Sequence, residues 1–223
     1  MHKTIENLNH IQNQINSKIL KLNISNYKPK IIAISKTFKI NHISPLIEYG
    51  HRDFGENFLQ ELKEKKAKLP SDIRWHFLGN IQSNKVKDIV MYSDLIHSIS
   101  RSKIFNKLSE LKTNKNIKIL LQLKLGEEET KSGFNEAEIY EIVARNESTN
   151  ITIKGLMVIA EGGIKIEKLK LQFSQAKNVF EKIKSMNKDV EFLSMGMSND
   201  YELALSQGSN MIRIGTSIFG ARN

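Results

Sequence analysis

The feature that most constrains the fold of this chain is an alternation between short apolar runs and longer amphipathic stretches. Several runs are apolar at successive positions, as expected of strands covered by helices on both faces of a parallel sheet. In chain order the runs are IIAI, HRDFG, RWHFL, DLIHSI, IKILLQLKL, ITIKGLMVI, EFLSM and NMIRI. Eight strands alternating with helices predict an α/β fold, a single (β/α)8 TIM barrel. A doubly wound open sheet is the alternative, because the second run, HRDFG, is weak.

The stretches between the runs carry the residue spacing of amphipathic helices. One predicted buried stripe comprises Leu169, Phe173, Ala176, Phe180 and Ile183. Asn135 is predicted to cap the helix that follows it. Asn199 is followed three residues on by Glu202, which is the spacing of a capping box. Residues 5 to 22 predict a leading amphipathic helix.

At 223 residues, the chain is long enough for one substantial core. We expect a single domain over residues 1–223, in which residues 1–28 form the leading helix and a connector. The sequence contains no cysteine, which excludes disulfides, thiolate metal sites and a cysteine nucleophile. Its N-terminal stretch lacks the long apolar core of a secretory signal or a membrane span. These features predict a cytoplasmic protein.

The formal net charge of +10 raises the question of nucleic-acid binding. Most of the excess lysines fall in helical stretches such as LQELKEKKAKL and FEKIKSMNK, where glutamates lie between them. Aromatic residues are not interleaved with these lysines, as a groove that stacks bases requires. We therefore interpret the lysines as solvated helix faces and predict no binding of nucleic acid.

The segments after the seventh and eighth runs have the composition of a phosphate site. In TIM barrels, phosphate commonly binds at the loops after these two strands. The segment SMGMSND supplies Ser194, Gly196 and Ser198, and GTSIFG supplies Gly215 and Thr216. Small residues let a ligand approach the backbone, and the free N–H groups of a short terminal helix favour an anion. The two segments together predict a phosphate cup.

A lone lysine, Lys36, ends the first apolar run in IIAISK. A closed barrel places the first strand beside the eighth, so Lys36 would lie near Arg213. Two neighbouring cations in a partly dry site disfavour each other's charge, and arginine keeps its proton. Lys36 would then be a neutral amine that can attack a carbonyl. With the phosphate cup, this amine predicts a phosphorylated aldehyde as ligand, and pyridoxal 5'-phosphate (PLP) and phosphosugar aldehydes both qualify.

Eight segments of the sequence resemble those of one known family. They are SKT (35–37), FGEN with QE (54–61), WHFLGNIQSNK (75–85), IHSI (96–99), KSGF (131–134), GLM (155–157), LSMGMSNDY (193–201) and RIGTSIFGAR (213–222). In this order they resemble the pyridoxal phosphate homeostasis proteins, a PLP-binding family. The resemblance implies the barrel of the alanine racemase N-terminal type, PLP fold type III without the second β domain. The chain departs from the usual pattern of the family at Lys124 and Ser100, near the expected rim of the pocket.

The resemblance also implies roles for individual residues. Lys36 would hold PLP as an internal aldimine, Arg213 would face the pyridine nitrogen, and Asn57 would lie near the polar edge of the ring. His76 and Met157 would line the pocket. The residues implied around the phosphate are Ser194, Gly196, Ser198, Gly215 and Thr216.

The same residues bear on whether the chain is an enzyme. PLP enzymes usually keep the pyridine ring protonated with a carboxylate, and an arginine there does the opposite. Racemases of this fold take a second base from an additional β domain and a partner subunit. Because the sequence ends soon after the eighth run, we expect no such domain here. Tyr201 and Tyr92 are more simply explained as helix residues than as the second base. We expect a non-enzymatic protein that buffers or delivers PLP and affects vitamin B6 and amino-acid balance indirectly.

Other functions stay open at this point. A PLP-dependent amino-acid racemase is the alternative, and a Schiff-base aldolase acting on phosphosugars is a third hypothesis. The expected partners are PLP itself and, as recipients, PLP-dependent enzymes in their apo form. We expect no metal, no membrane contact and a monomer.

Overall fold

The structure, a computed structural model, describes residues 2–23, 27–126, 132–148 and 150–221. Its centre is a closed barrel of parallel strands in the order β1 to β8. The strands are β1 (Lys30–Ile34), β2 (Asp53–Glu56), β3 (Arg74–Phe77), β4 (Leu95–Ile99), β5 (Ile117–Leu123), β6 (Ile151–Val158), β7 (Phe192–Ser194) and β8 (Met211–Ile214). Because β1 pairs with β8, the predicted (β/α)8 barrel is confirmed and the open sheet is wrong.

The strand β2 forms although its sequence pattern is weak. It pairs with β3 along its whole length. Gly55 leaves room for neighbouring side chains, since a Cβ there would lie 2.6 Å from Cδ1 of Ile34 and 2.7 Å from Cδ1 of Leu78. Side chains of the adjacent strand β1 and of the segment after β3 therefore supply the apolar surface that β2 lacks.

Helices alternate with the strands and surround the barrel. They are α1 (Lys3–Lys21), α2 (Ile40–Glu48), α3 (Leu59–Lys68), α4 (Val86–Tyr92), α5 (Ser102–Ser109), α6 (Glu136–Arg145), α7 (Ile166–Met186), α8 (Tyr201–Ser206) and α9 (Thr216–Phe219), with a 3-10 turn at Ser83–Lys85. The predicted stripe on α7 is buried, apart from Leu169, which is partly buried. Within the described ranges, no helix is long and apolar enough to cross a membrane.

Two predicted helix starts had different outcomes. Asn135 caps α6, because its side chain accepts from the N–H of Glu138 and its own N–H donates to the Glu138 carboxylate. The capping box predicted at Asn199 is wrong, since α8 begins at Tyr201 and follows Asp200. The Asp200 carboxylate accepts from a backbone N–H three residues earlier and so closes a turn ahead of the helix.

The leading helix α1 packs on the barrel and on the segments after its last two strands. The apolar residues that α1 buries are Leu8, Ile11 and Ile15. Asn7 donates to the backbone oxygen of Ile218 in α9 at 2.9 Å, and the Tyr201 hydroxyl donates to Gln14 at 2.6 Å. The predicted helix is therefore present, while the division of the chain at residue 28 stays a prediction.

A bulge in β6 sets which of its side chains face the barrel interior. Ile119 on β5 pairs with Ile153, but the next residue, Leu120, pairs with Gly155, so β6 has one extra residue. Ile153 packs in the cluster that includes the helix side chains. Met157 packs in a second cluster, which we call the interior cluster and which also contains Ile32, Ile34, Leu95, Leu120 and Met211. Without the extra residue Ile153 and Met157 would face the same side, because side chains alternate along a strand.

We expect Gly155→Ala to lower the free energy of unfolding by about 2–5 kcal/mol. Gly155 has a φ of 144°, and a Cβ there would lie 1.8 Å from the backbone oxygen of Phe192 on β7. Urea denaturation measures the change. Gly162→Ala is the matched control, because a Cβ at Gly162 meets nothing within 4 Å, and it should change stability by less than about 0.5 kcal/mol. Equal stability of the two variants would contradict the role of the bulge.

Candidate functional site

A cavity of about 300 Å³ opens at the carboxyl ends of the strands. Barrels of this kind bind their ligands at this end. The predicted site residues that line it are Lys36, Asn57, Met157, Ser198, Arg213, Gly215 and Thr216. The lining residues that the sequence did not predict are Ile34, Leu78, Ile159, Met197 and Asn199. The cavity thus combines several polar groups with an apolar wall.

The other predicted residues, Ser194, Gly196 and His76, do not line this cavity. Ser194 is fully buried, and its hydroxyl accepts from Arg213. Gly196 packs against α8, where a Cβ would lie 2.6 Å from the Cβ of Ala204. His76 is buried and bonded to other polar side chains. In the structure each of the three makes packing contacts or hydrogen bonds with other residues of the protein. Direct contact of any of them with a cofactor stays a prediction.

Lys36 lies in the turn that follows β1. Ser35 before it is fully buried, and Thr37 after it adopts a left-handed conformation with a φ of 70°. Along β1, Ile32 and Ile34 belong to the interior cluster, and Lys36 follows at the same two-residue interval. The strand and the turn therefore bring the lysine to the mouth of the barrel.

The half-buried side chain of Lys36 lines the cavity together with Arg213, Ser198 and Thr216. These residues come from the ends of β1, β7 and β8, which the closed barrel places next to one another. The predicted juxtaposition of an amine, a guanidinium and the two loops is present in the structure.

Arg213 is a buried cation held by fixed acceptors. Its Nη1 donates to the backbone oxygen of Ser194 at 2.7 Å and to the hydroxyl of Ser194 at 2.9 Å. Its Nη2 donates to the backbone oxygen of Val158 at 2.8 Å. Burial lowers the pKa of Arg213 to about 10, so the guanidinium is still charged at neutral pH. These acceptors take three of the five N–H groups of a guanidinium, counting only bonds within the described residues.

A chain of hydrogen bonds leads from Arg213 across the barrel interior. The hydroxyl of Ser194 lies 3.3 Å from Nδ1 of His97. Nε2 of His97 lies 2.9 Å from Nδ1 of His76, whose Nε2 lies 3.1 Å from a carboxylate oxygen of Asp53. Since Ser194 accepts from Arg213, its hydroxyl can donate to His97. We therefore assign the proton of each imidazole to Nε2, so that both rings donate toward Asp53.

The two ends of this chain carry opposite charges. Burial lowers the pKa of His97 well below its ordinary value, and the neighbouring His76 and Arg213 lower it further. Burial raises the pKa of Asp53, but hydrogen bonds from Arg74 and His76 outweigh burial and hold that pKa below its usual range. The chain thus links a guanidinium to a carboxylate through two imidazoles.

The loops after β7 and β8 meet at the cavity. The N–H of Ser217 donates to the hydroxyl of Ser198 at 3.3 Å, and the N–H of Arg213 donates to the backbone oxygen of Gly196 at 3.0 Å. The terminal helix predicted as an anion site has only 4 residues. The hydroxyls of Ser198 and Thr216 are therefore the groups at which we expect an anion, rather than a helix dipole.

Other residues considered from the sequence lie away from the cavity. The hydroxyl of Tyr201 donates to Gln14 on α1, and Tyr92 ends α4. Neither tyrosine lines the cavity, and neither do the unusual positions Lys124 and Ser100. In the part of the chain that the structure describes, no tyrosine is placed at the cavity as a second base.

The sequence missed the apolar wall and the hydrogen-bond chain for different reasons. Leu78 and Met197 lie within the segments WHFLGNIQSNK and LSMGMSNDY, and Ile159 ends the sixth apolar run. Position at a strand end was the signal that could have identified them. Asp53 and His97 gave no such signal, because their connection depends on contacts between strands that are distant in sequence.

The donor set of the cavity fits PLP. Lys36 supplies one amine for an aldehyde, and the hydroxyls of Ser198 and Thr216 can donate to a phosphate. Arg213 supplies a fixed cation, and Leu78 and the other apolar residues supply a wall for a ring. Among the described residues, no carboxylate lines the cavity, which suits an anionic ligand.

Comparisons with known proteins give consistent relationships. The family described as Alanine racemase, N-terminal domain, matches residues 7–223. A Haemophilus influenzae protein named Pyridoxal phosphate homeostasis protein is 36% identical and aligns with 97% of this chain and 95% of its own. PipY from Synechococcus elongatus PCC7942, whose structure was solved with PLP bound, is 32% identical in sequence. Its structure matches this one with a TM-score of 0.78 over 92% of this chain and 100% of its own. Alanine racemase from Corynebacterium glutamicum is 14% identical with a TM-score of 0.69 over 93% of this chain and 60% of that one, which shows a common fold alone.

We expect the stability advantage of the unchanged protein over His97→Asn to shrink as the pH falls from 7 to 5. In the unfolded chain His97 takes up a proton near pH 6.5, whereas in the folded protein its lowered pKa prevents this. Stability contributed by His97 is thus present above pH 6.5 and is lost below it, by up to roughly 1.4 kcal/mol per pH unit. Urea denaturation at several pH values measures the difference.

The control for this experiment is His10→Asn, at an exposed position on α1. Urea denaturation of this variant over the same pH range measures the effect of removing an exposed histidine. A pH-independent difference for His97→Asn would show that the buried imidazole is not held neutral.

Proposed function

The chain belongs to the pyridoxal phosphate homeostasis proteins, within the alanine racemase N-terminal domain family. From this premise we propose that it binds PLP through a Schiff base with Lys36 and takes part in PLP homeostasis. It would buffer the cofactor or deliver it, with indirect effects on amino-acid balance. The observation that carries the proposal is that Lys36, Arg213, Ser198 and Thr216 line one cavity. The relationship to a protein solved with PLP bound supports it.

Each of these residues has a task that follows from its surroundings. Bound PLP would supply an aldehyde that condenses reversibly with a primary amine. Lys36 presents that amine from a turn at the barrel mouth. Ser198 and Thr216 offer hydroxyl donors to the phosphate, while Asn57 and Met157 also line the cavity and would orient the ring.

Arg213 favours holding the cofactor over using it. With a pKa of about 10 it keeps its proton at neutral pH and can only donate hydrogen bonds into the cavity. A group that cannot release a proton does not protonate the pyridine nitrogen, so it does not strengthen the ring as an electron sink. Ser194, behind Arg213, holds the guanidinium in place through two hydrogen bonds.

We place the protein in the cytoplasm as a monomer, with apo PLP-dependent enzymes as recipients of PLP. A PLP-dependent amino-acid racemase is the second candidate function. It would require a second acid–base group across the cavity from Lys36, and Tyr201 and Tyr92 are not positioned for that role. The carrier function needs no such group.

We expect the purified protein mixed with PLP to show visible absorbance of a Schiff base, which Lys36→Ala abolishes. Borohydride should then fix PLP on Lys36, as detected by mass spectrometry of peptides. Lys39→Ala is the matched control, because Lys39 is exposed three residues away and does not line the cavity. Retained absorbance in a folded Lys36→Ala protein would refute the assignment of the amine.

We expect the PLP-loaded protein to exchange the α-hydrogen of D- or L-alanine in deuterated water no faster than free PLP does. The reason is that, among the described residues that line the cavity, no tyrosine can act as the second base, and that Arg213 is cationic. Mass spectrometry of the amino acid measures the exchange, with Lys36→Ala protein as the control. Exchange at an enzymatic rate, about 1 s⁻¹ or faster, would favour the racemase.

A further inference from the structure

Three charged side chains outside the cavity form a hydrogen-bonded network, two of them buried and one partly exposed, beside the turn that carries Lys36. Glu56 ends β2, and Glu61 and Lys65 lie on α3. Nζ of Lys65 donates to Glu56 at 2.6 Å and to Glu61 at 3.0 Å. The side chain of Lys65 is 5% exposed and that of Glu56 is 0% exposed. We call Glu56, Glu61 and Lys65 the charge cluster.

Lys65 corrects one interpretation of the sequence. The lysines of LQELKEKKAKL were predicted to form a solvated helix face, yet Lys65 is buried. Taking an ammonium out of water is costly, and Lys65 offsets this cost through hydrogen bonds to two carboxylates. Its position next to the turn indicates what these hydrogen bonds do.

The charge cluster holds the residue before Lys36. Lys65 donates its third hydrogen bond to the backbone oxygen of Ser35 at 2.8 Å, which satisfies all three N–H groups of the ammonium. The hydroxyl of Ser35 donates to the Glu56 carboxylate at 2.6 Å. Ser35 is therefore fixed through both its backbone and its side chain.

The charge cluster also holds the residue after Lys36. The N–H of Thr37 donates to the Glu61 carboxylate at 2.7 Å, on the same oxygen that accepts from Lys65. Thr37 has a φ of 70°, a conformation that costs free energy for a β-branched residue and needs support from its surroundings. Glu61 provides that support, so both flanks of Lys36 depend on one ammonium.

The electrostatics of the charge cluster depend on Lys65. Burial raises the pKa of Glu56 to about 7, against the opposing effect of Lys65. Within the described residues, the second carboxylate oxygen of Glu56 has no hydrogen-bond partner. Removing Lys65 would therefore favour the protonated form of Glu56 and change its hydrogen bonding to Ser35.

We propose that Lys65 is a positioning residue for Lys36, which fixes the turn through Ser35, Glu56 and Glu61 so that the amine meets the aldehyde of bound PLP. The inference rests on the proposed function, since it concerns how the same amine is presented. Lys65 would therefore affect the rate of Schiff-base formation, but not the affinity with which the cavity binds the phosphate and the ring.

The test separates these two quantities in Lys65→Met. Pyridoxamine 5'-phosphate has the ring and phosphate of PLP but no aldehyde, so its dissociation constant reports non-covalent binding. Stopped-flow absorbance with PLP reports Schiff-base formation. We expect the dissociation constant to stay within about twofold of the unchanged protein and the rate constant to fall at least tenfold. Lys63→Met, on the same helix with its ion pair to Asp88, should leave both quantities unchanged.

A measurement without PLP tests the geometry directly. Hydrogen–deuterium exchange of the segment that contains Thr37 should be at least tenfold faster in Lys65→Met than in Lys63→Met. If Lys65→Met does not fold, Glu61→Ala replaces it, because Glu61 is partly exposed and removal of its carboxylate still releases the N–H of Thr37. Its matched control is Glu64→Ala, at an exposed position on α3 that bonds Gln60.

The inference is overturned if the rate constant and the exchange of the Thr37 segment stay at the level of the control. It is also overturned if non-covalent binding and the rate fall by the same factor, because Lys65 would then support the cavity in general. If the unchanged protein forms no Schiff base with PLP, the proposed function itself fails. Faster exchange at Thr37 together with a slower rate and intact non-covalent binding would confirm positioning.

Discussion

The hydrogen-bonded pairing of β1 with β8 closes the barrel, and the candidate site depends on that closure. Ile32 lies opposite Arg213 in this pair, so the turn after β1 and the turn after β8 emerge at the same edge. Lys36 on the first turn and Thr216 on the second consequently line one cavity. Closure also brings β4 and β7 to opposite sides of one interior, where His97 on β4 lies within hydrogen-bonding distance of the Ser194 hydroxyl on β7. In an open sheet β1 and β8 would lie far apart, and the amine of Lys36 would have no guanidinium of Arg213 beside it.

Charge is distributed unevenly between the front and the back of the site. The side chains that line the cavity include the cation Arg213 and, in the described ranges of the chain, no carboxylate. The acidic groups lie behind it: Glu56 beside the turn of Lys36, and Asp53 at the far end of the imidazole chain. Arg213 is bonded to neutral oxygens, so its charge is not cancelled by an ion pair. Such an arrangement presents positive potential to an incoming anion while the buried charges behind it stay compensated.

Much of the fold could be predicted because periodicity reports burial directly. The eight apolar runs became the eight strands, and the loops after β7 and β8 were recognisable from small and hydroxyl residues. What could not be predicted depends on neighbours from other parts of the chain. The hydrogen bond that the Ser194 hydroxyl accepts from Arg213 could not be predicted from the composition of the loop, and contact of Ser194 with a phosphate stays a prediction. Lys65 had the pattern of a solvated lysine, but β2 supplies a buried carboxylate to pair with it. Asn199 had the spacing of a helix cap, but the turn closed by the Asp200 carboxylate moves the start of α8 to Tyr201.

The docking of α1 has a consequence for the site that it never touches. Asn7 bonds the helix that starts at Thr216, and Gln14 bonds α8, which follows the loop of Ser198. Free energies of local opening and of ligand binding are linked and reciprocal. A ligand that rigidifies these two loops therefore makes fraying of the N-terminal helix rarer, and fraying of that helix weakens the hold on the ligand by the same factor. Binding of such a ligand would thus be linked to the docking of the N-terminal helix through two polar contacts, without any change of fold.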